Sequence, residues 1–169
     1  LPRQLPPTRP FKKTGLELLE EKVRVALLRE LADLYGFDFS PEFEKRDLHL
    51  YRREQQLFLL PGQFLRHFSE LPYYAFGFPF GRWSGSNFEL SAEIVSRFGD
   101  RFNSNVWIIP DDLIAQWLKG AEIRGASIAS CRNASIIAVR DGDGRNLGAG
   151  KNLPGRLRNL LPSRALLSP

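Results

Sequence analysis

Between Val106 and Gly150 the chain is a series of short apolar runs, each stopped by turn residues. Val106-Trp107-Ile108-Ile109, Glu122 to Arg124, Ser127 to Ala129, Ser135 to Arg140 and Leu147-Gly148-Ala149-Gly150 follow one another, with Gly120, Gly125 and Asp141-Gly142-Asp143-Gly144 among them. Runs this short, punctuated this way, build strands and hairpins rather than long helices. One helix interrupts them, opened by Pro110-Asp111-Asp112, with acids at its positive end and Leu113, Ile114, Trp117 and Leu118 on its apolar face. A single small helix among short strands predicts a compact barrel-like module. No apolar run approaches the roughly 18 residues that a membrane span needs, so no crossing of a bilayer is expected.

The first half is patterned differently. Residues 1–10, LPRQLPPTRP, are rich in proline and read as an extended arm. Thr14 and Glu17 have the capping-box spacing, and Leu16, Leu19, Val23, Leu27, Leu31 and Leu34 then recur at helical steps until Gly36. The spacing predicts one helix with one buried face. Residues 37–47 read as a polar loop. Leu48 to Arg52 and Leu57 to Leu60 read as two strands around the polar turn Arg53 to Gln56. After Pro61 a short helix is expected, with Phe64, Leu65 and Phe68 facing inward. Tyr73, Tyr74, Phe76, Phe78 and Phe80, interrupted by Gly77 and Gly81, fit the core of a sheet better than a platform for stacking bases. A strand from Phe88 to Leu90 and a helix from Ala92 to Phe98 close this half.

Charge divides the chain unevenly. Residues 1–104 carry 15 Lys and Arg against 14 Asp and Glu, whereas residues 105–169 carry 9 against 5, within a total net charge of +5. No acid follows Asp143, while Arg145, Lys151, Arg156, Arg158 and Arg164 do. Such a segment favours a polyanionic partner, because guanidinium forks bind phosphate bidentately and stack on bases. A solvated basic loop explains the same composition, and the two readings stay open at this point. Arg124 and Arg132 extend the candidate patch. Methionine is absent even at position 1, so a start upstream is expected, and no secretory or transit segment is visible.

Catalytic signals are sparse. Two histidines, His49 and His67, and one cysteine, Cys131, form no cluster with zinc-ligand spacing. The lone cysteine excludes an internal disulfide. Gly142, Gly144 and Gly148 sit in a β-turn segment, where a hairpin is expected rather than a dinucleotide fingerprint. Cys131 adjoins Arg132, a neighbour that lowers a thiol pKa when the two charges face each other, but a lone buried cysteine is the commoner case. Asp111 and Asp112 suit helix capping better than acid–base work. The reading is of a protein that is not an enzyme and uses no cofactor and no metal.

The order of motifs resembles a known architecture. Gly120-Ala121-Glu122-Ile123, Arg124-Gly125-Ala126-Ser127-Ile128, Ser135 to Val139, Asp143-Gly144 and Leu147-Gly148-Ala149-Gly150 resemble the PUA domain, the RNA-binding module of pseudouridine synthases and archaeosine transglycosylases. Upstream, Leu50-Tyr51 to Leu60, Phe76 to Trp83, Phe88-Glu89-Leu90 and Asn105 to Pro110 resemble the NIP-seven family of ribosome-biogenesis factors, over roughly residues 14–162. The chain departs from that family at Gly77-Phe78-Pro79-Phe80-Gly81, where an aromatic replaces a Thr or similar residue. The family's closing strand and its tail also have no counterpart before Pro169.

The resemblance implies an α/β (α+β) fold, with a mixed α/β N-terminal domain and a C-terminal PUA-type pseudo-barrel. The implied boundaries are a Pro-rich arm at 1–13, an N-terminal domain at 14–104 and a PUA domain at 105–169. It implies no catalytic residues and RNA contacts at Lys151, Arg156, Arg158 and Arg164, to which the charge pattern adds Arg124 and Arg132. The expected protein is an archaeal-type, cytoplasmic monomer (nucleolar or nuclear in a eukaryote). It would bind single-stranded ribosomal RNA precursors and assembly or processing proteins during large-subunit maturation. Two alternatives are a protein-interaction adaptor and the targeting module of an RNA-modifying enzyme.

Overall fold

A computed structural model describes residues 15–68, 77–125, 128, 130–163 and 166. The Pro-rich arm, the Thr14 cap, Tyr73, Tyr74, Phe76, Ser127, Ala129 and Arg164 lie outside the described residues, as do the side chains of Leu65 and Phe68. The fold is mixed α+β, built on two five-stranded sheets.

The first sheet holds β1 (Glu17–Leu18), β2 (Leu48–Arg53), β3 (Gln56–Pro61), β4 (Phe78–Ser84) and β5 (Asn87–Leu90) in that spatial order, all antiparallel. Helix α1 (Glu21–Tyr35) buries Leu27, Leu28, Leu31 and Tyr35 against it, and Gly36 ends the helix in a left-handed conformation. The helix therefore starts later than the periodicity predicts. Glu17 and Leu18 pair with Arg52 and Tyr51, and the Leu19 amide continues the ladder to the Leu50 carbonyl at 2.9 Å. Sheet pairing wins over the helical spacing, Leu16 and Leu19 are buried without being helical, and Val23 is 40% exposed.

Residues 37–47 also differ from the expected loop. Helix α2 (Ser40–Lys45) carries Pro41 in its first turn, and Phe39 and Phe43 are fully buried beside Phe80 and Phe98. Pro61 belongs to the end of β3, and the short helix α3 (Phe64–Phe68) begins after it. Helix α4 (Ala92–Phe98) starts as predicted, with the Ser91 hydroxyl accepting the Ile94 amide at 3.1 Å. A 3-10 turn, Gly99–Arg101, follows it.

The second sheet runs β6 (Val106–Ile108), β8 (Ile136–Arg140), β9 (Asn146–Leu153), β10 (Arg156–Asn159) and β7 (Ile123–Arg124). Only the β6–β8 pair is parallel. This sheet curls as a half-barrel over helix α5 (Asp111–Leu118). Trp117 of α5 is fully buried with Ile123, Ile137, Val139 and Leu157, and its indole N–H donates to the Leu147 carbonyl at 3.1 Å. Strand β6 lies at the sheet edge; Ile108 is half exposed, and of the Val106–Ile109 run only Ile109 is deeply buried. The Asp141–Gly144 segment forms the predicted turn between β8 and β9.

The second sheet has two apolar faces. Ile137, Val139 and Leu157 point into the half-barrel, whereas Ile136, Ala138 and Ala149 join the cluster of Leu27, Leu31, Tyr35, Leu90 and Ile94. Polar latches reinforce this shared core. The Tyr35 hydroxyl donates to the Ile136 carbonyl at 2.8 Å. The Arg140 guanidinium donates to the carbonyls of Gly99 and Phe102, the latter at 2.7 Å. The Asn146 amide donates to Val95 and Ser96 at 3.1 and 3.0 Å. Among the described residues no helix is long and apolar enough to cross a membrane.

Candidate functional site

The basic segment is a hairpin, not a loop. Strand β9 extends to Leu153, Pro154 and Gly155 make the turn, and β10 follows. Alternation along β10 points Leu157 into the half-barrel and leaves Arg156 and Arg158 on the opposite face. Register places Arg158 opposite Lys151 and Arg156 opposite Arg124. Lys151, Arg158, Arg156 and Arg124 therefore share one face, the continuation of the face that carries Ile136 and Ala138 into the shared core.

Internal carboxylates engage part of this set. Glu122 receives Arg124 Nε at 3.1 Å and Arg156 Nη1 at 3.2 Å. The hydrogen bond from Arg124, helped by the charge of Arg156, holds the Glu122 carboxyl below the usual carboxylate range. Glu89 of β5 receives Lys151 Nζ at 2.9 Å, with Arg82 Nη2 at 3.9 Å. Each of these two groupings keeps one positive charge in excess. Arg158 and Arg132 are exposed and have no carboxylate partner among the described residues.

Arg132 sits on a loop whose backbone is held from several directions. Its amide donates to Asn105 Oδ1 at 3.0 Å, and its carbonyl accepts from Ser135 Oγ at 2.6 Å and Asn152 Nδ2 at 3.3 Å. Asn105 and Asn152 are buried, so they satisfy loop backbone that would otherwise lack partners. The loop is fixed while the Arg132 side chain stays in solvent.

Two cavities flank the Glu89–Lys151 ion pair. One, of 370 Å³, lies between the sheets and is lined by Gln56, Phe58, Arg82 and Arg158 together with the ion pair. The other, of 220 Å³, is lined by Ser84, Asn87, Phe88, Arg132 and Asn133 beside the same ion pair. Together they form a trough with cations on both sides of one carboxylate. Guanidinium and ammonium donors of this kind bind anionic oxygens, and the half-buried aromatics offer apolar surface beside them.

The sequence located the cations of the second half, and the structure brings Lys151, Arg158 and Arg132 to the trough while Arg124 and Arg156 lie further along the same face. It did not locate Arg82, Glu89 or Gln56, which come from the first sheet. For Arg82 and Glu89 the signal is the alternation of β4 and β5, where the two stand opposite each other. Of the aromatics read as sheet core, the described ones pack into it: Phe80 is fully buried and Phe78 is half-buried against the same cluster.

The thiol and the two imidazoles considered for catalysis have structural partners. The Cys131 thiol donates to the Val106 carbonyl at 3.4 Å, and burial pushes its pKa up, opposite to the lowering that a facing Arg132 would give. His49 meets Asp47 at 3.1 Å and His67 meets Gln63 at 3.1 Å. Asp111 and Asp112 lie in the first turn of α5, which has no side-chain capping hydrogen bond. Among the described residues no three His, Cys, Asp or Glu side chains gather as metal ligands.

No protein-family model matches the chain. Over 117 residues, 67% of the chain, it is 27% identical to ribosomal RNA small subunit methyltransferase F of Psychromonas ingrahamii. The match covers 24% of that protein, so the chain is similar to about a quarter of the relative's length.

Proposed function

We propose that this protein binds ribosomal RNA along the trough between its two sheets and contributes no catalytic residue of its own. The observation that carries the reading is the pair of exposed cations, Arg158 and Arg132, on either side of the Glu89–Lys151 ion pair, neither with a carboxylate partner among the described residues. The similarity to an enzyme named for ribosomal RNA supports RNA as the polyanion. Phosphates would be neutralised by Arg158, Arg132 and the excess charge around Glu89 and Glu122, so affinity should fall steeply with salt.

The test is fluorescence anisotropy with single-stranded ribosomal RNA fragments at about 0.1 M salt, where exposed charges still act over roughly 10 Å. Arg132→Glu combined with Arg158→Glu should weaken binding at least tenfold and leave the thermal transition in place. Unchanged affinity would overturn the proposal. Co-purification of proteins that survives nuclease treatment, together with no RNA binding, would favour an adaptor instead.

Two finer readings share this surface. The motif order that resembles the NIP-seven family supports a monomeric assembly factor acting on large-subunit precursors where ribosomes are made. The partial match to a small-subunit methyltransferase supports a targeting unit for ribosomal RNA modification. Crosslinking to cellular RNA separates them: a large-subunit footprint favours the first, a small-subunit footprint the second.

A further inference from the structure

Glu89 is an unexpected side chain at the centre of a phosphate-binding trough. Among the described residues it is the one carboxylate lining either of the two cavities, and it lines both. A negative charge there repels the RNA backbone and opposes binding unless it contacts something other than phosphate. Its two oxygens are not equivalent. Oε2 accepts from Lys151 at 2.9 Å. The contact of Oε1 with Arg82 is 3.9 Å, beyond hydrogen-bond range. The side chain is 21% exposed and lines both cavities.

An ionised carboxylate only accepts hydrogen bonds. Unpaired RNA bases offer their Watson–Crick edges to protein groups. Guanine presents two adjacent donors there, N1–H and the N2 amino group. Adenine and cytosine pair a single amino donor with a ring-nitrogen acceptor, and uracil sets one N–H between two carbonyls. A carboxylate is therefore matched by guanine and opposed by acceptors on the other three. Phe88 and Phe58, half-buried in the two cavities, supply apolar surface beside an inserted base.

We infer that Glu89 reads a guanine of bound single-stranded RNA, its carboxylate accepting from the guanine N1–H and N2 amino group while Arg158 and Arg132 hold flanking phosphates. The inference rests on the RNA-binding reading above. Lys151 fixes Oε2 and so orients the acceptor, and Arg82 adds charge without occupying Oε1.

The experiment titrates wild-type protein with uridine-rich RNA oligonucleotides that carry a single guanosine, inosine or adenosine at one position. The guanosine oligonucleotide should bind about tenfold more tightly than the adenosine one, a ratio within the range of one base contact. Inosine, which lacks the N2 amino group, should fall between them. Glu89→Gln should bind the adenosine oligonucleotide more tightly, because the repulsion is gone, and should lose the order among the three. A carboxylate that only partners Lys151 would change thermal stability without touching base preference. Equal wild-type affinity for the three oligonucleotides overturns the inference while RNA binding stands, as does a Glu89→Gln protein that keeps the guanosine preference. Failure of every oligonucleotide to bind overturns the RNA-binding reading itself and this inference with it.

Discussion

The Tyr35 hydroxyl donates a 2.8 Å hydrogen bond to the carbonyl of Ile136, joining the last turn of the first long helix to the first residue of β8. Both residues are buried, so neither polar group has water as an alternative. The bond fixes the second sheet on the helix at the place where the shared core begins.

Tyr35→Phe keeps the ring and removes the donor. We expect a loss of about 1 kcal/mol, the usual value of one such bond, with an unchanged denaturant m-value. Urea unfolding of both proteins measures it.

Burial pushes the Tyr35 phenol well above its ordinary pKa of 10.0. The folded state therefore keeps the proton where the unfolded chain releases it. The contribution is fully present below about pH 10 and is lost as pH rises from there through the folded-state pKa. The alkaline fall in stability should be shallower in Tyr35→Phe, and thermal melts from pH 9 upward compare the two slopes.

Asp141 titrates in the opposite sense. Burial alone raises its pKa, but the Arg145 amide and guanidinium and the Asp143 amide outweigh it and hold the carboxyl below the ordinary value. Its contribution is present above about pH 4 and is lost as pH falls through the folded-state pKa. Asp141→Asn should flatten the acid limb of the stability curve and loosen the β8–β9 turn, seen as faster amide exchange at Asp143 and Arg145.

The ion pairs of the basic face predict unequal roles for neighbouring arginines. Arg158→Ala should reduce the slope of log affinity for RNA against log salt by about 1, the value of one phosphate contact. Arg156→Ala should reduce it less, because Glu122 already holds that guanidinium. Glu122→Gln should strengthen RNA binding by releasing Arg124 and Arg156. Salt titrations of the three variants check the order.

Gly81 tests strand packing under the trough. A Cβ there would stand 2.5 Å from the Glu89 carbonyl oxygen and closer still to the Phe88 ring. Gly81→Ala should cost about 1–3 kcal/mol, the range for overpacking, measured by urea unfolding. The displaced Glu89 should also weaken any base preference.

Much of the fold was legible in local pattern. Strands β2 and β3 and helix α4 carry their own turn and capping residues, and Trp117 stands at the predicted helical position. What was missed depended on contacts between distant segments. Leu16 and Leu19 continue a helical spacing, yet Leu18 pairs with Tyr51 in a strand. Phe39 and Phe43 look isolated in a polar stretch and become core only because Phe80 and Phe98 meet them. Counting charge found Lys151 and Arg158, but Glu89 lies 62 residues before Lys151, and no local signal joins them.

The second sheet, with oily side chains on both surfaces, also decides how the chain can be handled. Cutting after Ser104 would leave the second sheet whole but uncover one of its faces, with Ile136, Ala138 and Ala149 turned to water. The C-terminal part is thus a poor candidate for grafting onto another protein by itself. Any transplant should carry both sheets, and with them both banks of the trough.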